Sequence, residues 1–246
     1  MKHLLMAIGI GTLIVMGCAA ASAAARGPKY PALDLAMPAA QSGPALPAVD
    51  LFKTVSPSIY LIVAAKDERT LKRMKSVYEG SAVAISPTLA LTNCHIVARH
   101  KTIILVQKKS EDVARVVASD PKTDRCVIET ASLKMHPVHG VRPFADLNVG
   151  EKVYTIGNPS GLEATLGEGL VSGLREEDGV RYVQTSAPIS PGSSGGGLFD
   201  ERGNLLGITT FTLADTENLN FAIAAEDYWA KIKTKRKRKS ETEADE

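Results

Sequence analysis

Short apolar runs rich in β-branched residues recur along the chain from residue 59 onward. They occupy 59–63, 82–85, 102–106, 113–117, 152–156, 181–184 and 205–209, and Gly, Pro, Asn or Asp stands between many of them. Short runs punctuated by turn residues predict an all-β sandwich or barrel. No long stretch keeps a helical period until the end of the chain. There Glu226 and Asp227 precede Tyr228-Trp229-Ala230 and a basic run. Acids first and bases last suit the dipole of a short helix. No internal repeat is visible.

The N-terminus follows a different pattern. Met1-Lys2-His3 opens an apolar stretch at 4–16, and small residues follow it. A basic start, a short apolar core and small residues describe a secretory signal over residues 1–23. The core is too short to span a bilayer, which takes about 20 apolar residues. Two processing routes fit. Ala21-Ser22-Ala23 offers an A-x-A cleavage site. Val15-Met16-Gly17-Cys18 resembles a bacterial lipobox, which would lipidate Cys18. Residues 24–48 are rich in Ala and Pro and read as a semi-extended linker that does not pack. The folded part is expected from Val49.

Composition adds limits. With 246 residues, 44% hydrophobic and 23% charged, the chain is of ordinary globular make-up. That excludes a disordered chain, a collagen and a disulfide-dense miniprotein. The net charge is +2, and residues 231–246 alone carry seven bases against four acids. The rest is therefore slightly acidic, which is not the footprint of a nucleic-acid binder. The basic tail at 233–246 reads as a solvated helix end or as an attachment to anionic lipid.

Gly192-Ser193-Ser194-Gly195-Gly196 is the strongest chemical signal. A serine hydroxyl needs a base to become a nucleophile, and flanking glycines let backbone N–H groups converge on an oxyanion. The string also fits the G-x-S-x-G elbow of α/β-hydrolases, but that class needs a histidine after the serine. The last histidine is His139, so the base lies upstream. His95, in Leu-Thr-Asn-Cys-His-Ile-Val, ends a strand-like run. His100 lies among bases. His136 and His139 have no partner at ligand spacing, so no metal is expected. The acid that fixes the imidazole tautomer is Asp124, at the start of an apolar strand, with Asp120 as its competitor beside Pro121.

His, Asp, Ser in this order is the chymotrypsin-type order. Thr92-Asn-Cys-His95, Thr123-Asp124, Gly157-Asn-Pro-Ser-Gly161 and the stretch 184–197 together resemble the HtrA/Deg branch of the trypsin-like serine proteases. The stretches 49–57 and 220–224 are similar too. The resemblance covers about 49–232. It implies two six-stranded antiparallel barrels of the chymotrypsin type with a short C-terminal helix. The site would lie between them, with His95 and Asp124 from the first barrel and Ser194 from the second. The N–H groups of Gly192 and Ser194 would form the oxyanion hole. No cofactor is implied.

The departures are informative. Ser193 stands where zymogen-type relatives carry an acid that pairs with a freed N-terminus, which argues against activation of that kind. Pro188 stands at the floor of the primary specificity pocket and cannot neutralise Arg or Lys. Small or medium apolar side chains are therefore expected before the scissile bond. Residues 233–246 are too few for the PDZ domain that HtrA-type proteins usually append. If Asp124 faces His95, Cys126 faces Cys94, since residues two apart on a strand share a face. A Cys94–Cys126 disulfide is expected, as suits an oxidising compartment.

The expected function is an exported serine endopeptidase of the bacterial periplasm or envelope. It would act on polypeptides, with membrane attachment through lipidated Cys18 or the basic tail, and its oligomeric state is left open. The alternatives are a catalytically silent protease-fold binding module and an esterase using the same triad.

Overall fold

Why the apolar runs are continuous rather than alternating is clear from the packing. The computed structural model describes residues 35–73, 76–212 and 219–229. A short helix α1 (Ala48–Val55) leads into β1 (Ile59–Ala65), helix α2 (Glu68–Lys72), β2 (Tyr78–Ala84), β3 (Leu89–Asn93) and helix α3 (Cys94–Val97). Strands β4 (Thr102–Gln107), β5 (Ser110–Asp120) and β6 (Arg125–Thr130) complete a barrel closed in the order β1-β2-β3-β6-β5-β4. The second barrel holds β7 (Lys152–Gly157), β8 (Thr165–Glu177), β9 (Val180–Thr185), β10 (Gly197–Asp200), β11 (Leu205–Thr212) and β12 (Asn220–Ala224). It closes as β10-β11-β12-β9-β8-β7, and every strand pair in both barrels is antiparallel.

Successive side chains of a strand point to opposite faces. In the first barrel Tyr60, Ile62, Ala82, Ala84, Ala90 and Ile128 fill the interior. Their neighbours Ile59, Val83, Leu91 and Val127 point the other way, into a second core shared with Tyr154, Ile156, Phe199, Ile208 and Ile223 of the second barrel. Val153, Val183, Leu198, Leu206 and Ala222 fill the second interior. Strands at the junction are buried on both faces, which is why they read as unbroken apolar runs. The same shared core takes in Leu51 and Val55 of α1, Val138 and Val141 of the inter-barrel connection, and Tyr228.

β8 does not stand out in the sequence, because Gly167, Gly169 and Gly173 interrupt it. Glycine in a strand often marks close approach of another backbone. A Cβ on Gly169 would lie 2.2 Å from the amide nitrogen of Ala187.

The structure changes one expectation. Residues 35–48 are docked at several points rather than free, although most of their side chains stay exposed. The amide of Leu46 donates to the carbonyl of Glu201 at 2.8 Å, and that of Val141 donates to Pro38 at 3.1 Å. The side chain of Asn204 accepts from the Gln41 amide at 2.6 Å and donates to its carbonyl at 3.1 Å. Leu35, Met37 and Leu46 lie against the shared core. An extended Pro-rich strap can dock wherever its remaining amides find acceptors, so the folded part begins before Val49. At the other end, the short helix expected there takes the form of a 3₁₀ turn at Ala225–Tyr228. That turn reaches the first barrel: Arg125 donates to the Asp227 carbonyl, and the Tyr228 hydroxyl to that of Thr92 at 3.3 Å. The signal at 1–23, Cys18 and the basic tail lie outside the described residues.

Candidate active site

Pairing of β3 with β6 sets Asn93 opposite Arg125. One step beyond on each strand, the chain leaves β3 through Cys94-His95 and enters β6 from Asp124. The two residues meet because the ladder ends between them. The Cys94 amide donates to the Asp124 carbonyl at 3.1 Å, and Asn93 Nδ2 donates to the same oxygen at 3.3 Å. Asp124 sits at φ 57°. Asp is among the few side chains that tolerate this left-handed backbone.

The Asp124 carboxylate is turned fully toward His95. Oδ1 accepts the His95 amide at 2.8 Å, and Oδ2 lies 2.7 Å from His95 Nδ1. Oδ2 also accepts the Thr210 hydroxyl at 3.1 Å. An acceptor at Nδ1 fixes the tautomer with Nε2 free of hydrogen. Asp120 goes elsewhere. Its carboxylate accepts from Thr123 Oγ1 at 2.5 Å and pairs with Arg125 at 3.2 Å, away from the imidazole.

Ser194 lies in the turn before β10. Its hydroxyl donates to the Thr210 carbonyl at 2.9 Å. Among the described residues no hydrogen bond joins it to the His95 ring. Thr210 therefore touches both partners: its carbonyl holds the Ser194 hydroxyl and its own hydroxyl holds Asp124. Nothing in the sequence singled out Thr210 beyond a polar residue within an apolar strand.

The backbone around Ser194 is fixed carbonyl by carbonyl. Pro191 O accepts the Ser160 amide at 3.0 Å. Gly192 O accepts the Ser81 hydroxyl at 2.9 Å. Ser193 O accepts Thr209 Oγ1 at 2.6 Å and the Gly196 amide at 2.9 Å. Ser194 O accepts the Ser81 amide at 2.8 Å. The amides of Ser193, Gly195 and Gly196 donate to Ser190, Thr209 and Ser193 carbonyls. Those of Gly192 and Ser194 meet no acceptor among the described residues. Gly195 is required here, since a Cβ would lie 2.0 Å from Ser81 O.

Beside this turn is a cavity of about 60 Å³ lined by Thr155, Ile156, Thr165, Leu166, Pro188 and Thr209 among others. No charged residue lines it. Pro188 is anchored there by its carbonyl, which accepts Thr155 Oγ1 at 3.0 Å. The Sγ atoms of Cys94 and Cys126 stand within bonding distance, with Cα atoms 4.9 Å apart, inside the span of a disulfide. Among the described residues no group of three or more His, Cys, Asp or Glu is arranged to hold a metal. His136 and His139 are exposed on the inter-barrel connection, and His100 packs against Tyr78 with ring centroids 4.5 Å apart.

Residues 80–208 match the family model described as a trypsin-like peptidase domain. The chain belongs to the trypsin-like peptidase family. It is 35% identical over 177 residues to "Protease Do-like 1, chloroplastic" of Arabidopsis thaliana, covering 65% of this chain and 40% of that protein. It is 37% identical over 125 residues to a "Probable periplasmic serine endoprotease DegP-like" of Hahella chejuensis, covering 49% of this chain and 26% of the relative. The solved structure "HtrA-type protease AlgW with tripeptide" superposes with a TM-score of 0.65 at 28% identity, covering 73% of this chain and 60% of that one. The chain thus spans less than half the length of these two curated relatives.

Proposed function

We propose that the protein is an exported serine endopeptidase in which Ser194 is the nucleophile, His95 the general base and Asp124 the residue that orients it. The observation that carries this reading is the Asp124–His95 pair, linked through Thr210 to a serine whose own amide and that of Gly192 meet no acceptor among the described residues. His95 Nε2 takes the Ser194 proton as Oγ adds to the peptide carbonyl. The amides of Gly192 and Ser194 hold the resulting oxyanion. The imidazolium then gives its proton to the leaving amine, and water repeats the cycle on the acyl-enzyme. The Ser194 hydroxyl must first exchange the Thr210 carbonyl for His95. Loose catalytic hydrogen bonds of this kind are common before substrate binds.

The small uncharged cavity with Pro188 in its wall is the reading we favour for the primary specificity pocket. It suits small or medium apolar side chains and offers Arg or Lys no counter-charge. Residues 1–23 act as the export signal, with cleavage after Ala23 or lipidation of Cys18 as its two outcomes. The names of the periplasmic DegP-like relatives and a buried Cys94–Cys126 disulfide both agree with an oxidising compartment.

A catalytically silent binding module is the second reading, favoured by the Ser194–Thr210 bond. Labelling with a serine-reactive phosphonate separates the two. The expected result is labelling that Ser194→Ala abolishes, casein hydrolysis lost with it, and cleavage of a peptide library after small or medium apolar residues. Absence of labelling in the folded protein excludes catalysis. Strict cleavage after Arg or Lys overturns the pocket assignment, and hydrolysis of p-nitrophenyl esters without casein cleavage points to an esterase.

A further inference from the structure

Ser81 lies in β2 of the first barrel, yet its hydroxyl is spent on the second. It donates to Gly192 O at 2.9 Å and accepts from the Asn158 amide at 2.9 Å and from Asn158 Nδ2 at 3.2 Å. Its amide donates to Ser194 O at 2.8 Å, and its carbonyl accepts Thr92 Oγ1 at 2.8 Å. Ser81 is fully buried, as is Asn158. One side chain thus joins two loops: the 191–195 turn and the turn that opens at Asn158.

The second loop acts on the same peptide. The Ser160 amide, in a residue at φ 51°, holds Pro191 O and so orients the peptide that carries the Gly192 N–H. Gly192 itself sits at φ 93°, where a residue without Cβ turns freely. Its N–H keeps one direction because the carbonyl before it is held by Ser160 and its own carbonyl by Ser81. Asn158 is fixed in turn by Ser81 and by the Ala164 amide, which donates to Oδ1 at 2.9 Å.

We propose that Ser81 is a positioning residue for the oxyanion-binding amides, setting Gly192 directly and Ser160 through Asn158. It touches no reacting atom. The role rests on the reading of Ser194 as nucleophile. Removing the hydroxyl strips Gly192 O and both Asn158 donors of their partner, and the Gly192 amide then samples directions away from the oxyanion.

The test is Ser81→Ala in the full chain, with kcat expressed per active site titrated by phosphonate, so that unfolded molecules do not count. Losing one oxyanion donor outright costs about 10²–10³ in kcat. A loosened donor is expected to cost about 10- to 100-fold in kcat, with KM within about threefold. Affinity for a peptide aldehyde, whose adduct bears the oxyanion, should fall in proportion. A structural role alone lowers the titrated fraction and leaves kcat per site unchanged, which overturns the proposal. If Ser81→Ala does not fold, Ser81→Thr and Ser81→Val replace it: equal in shape, they differ in the hydroxyl, and only the threonine should keep kcat. Equal activity of that pair also overturns the proposal. If Ser194→Ala abolishes labelling while Ser81→Ala leaves kcat intact, only the positioning role falls. If labelling survives Ser194→Ala, both readings fall together.

Discussion

Two aspartates four residues apart compete for one imidazole, and the sequence favours Asp124 because it opens an apolar strand while Asp120 precedes Pro121. The structure separates them by their partners. Asp124 spends both carboxylate oxygens on His95, while Asp120 spends its own on Thr123 and Arg125. Asparagine tolerates the left-handed backbone of Asp124 as well as aspartate does. Asp124→Asn therefore removes charge and tautomer control without disturbing the loop. In a chymotrypsin-type enzyme that change costs about 10⁴ in turnover, and a loss of that order is expected here in peptide hydrolysis. Asp120→Asn breaks a buried pair and is expected to cost about 3–5 kcal/mol of stability in denaturant unfolding. Turnover per titrated site should hold. The opposite assignment of the two effects would move the orienting role to Asp120. His95, Asp124, Ser194 and Gly192 were legible because each belongs to a short string with its own chemistry. Ser81 and Thr210 were not, because their hydroxyls meet partners far away in sequence that only the closed barrels bring within reach. Asn158 and Ser160 lie in the string 157–161, but their part in it was not readable there.

At the level of elements, legibility followed composition. Strands with unbroken apolar runs stood out, and β8 did not, because its glycines make room for the chain at Ala187 and Pro188. The strap at 35–47 was hidden for a related reason. Proline-rich composition reports low helix and strand propensity, but not whether a neighbour offers acceptors. Here Asn204 offers its side-chain amide to both backbone groups of Gln41, much as a partner strand would. Asn204→Ala leaves those groups unpaired, at a cost of about 1–3 kcal/mol. The melting temperature is expected to fall by about 2–4 °C per kcal/mol. Limited proteolysis should cut first near Gln41, with turnover unchanged below the melting range. A melting curve identical to that of the parent would mean that the strap contributes no net stability.

Across the whole molecule, the two barrels share one core, and the proposed catalytic groups come from both sides of it. Stability and activity should therefore decline together when the connection between barrels loosens. That connection is clasped by a two-pronged pair, with Arg142 Nη1 donating to Glu151 Oε2 at 2.7 Å and Nη2 to Oε1 at 2.9 Å. Burial is the largest influence on the Glu151 carboxyl and opposes ionisation. Hydrogen bonds from Arg142 and Asn148 outweigh it and hold the group below the usual range. Asp112 follows the same pattern: burial raises it, and the amides of Leu133, Ser132 and Val113 together pull it lower. A carboxyl depressed in the folded state contributes its full stability above its unfolded pKa, about 4 for these side chains, and loses it as pH falls through the folded value. Melting temperature should thus stay level with respect to these two groups from pH 7 to about 5 and fall steadily below about 4.5. In Glu151→Gln the clasp is already uncharged on one side. Its neutral-pH stability should be lower and its acid decline shallower than the parent's, so the two curves converge toward pH 3. Parallel curves across that range would show that protonation of Glu151 is not what the acid transition reads.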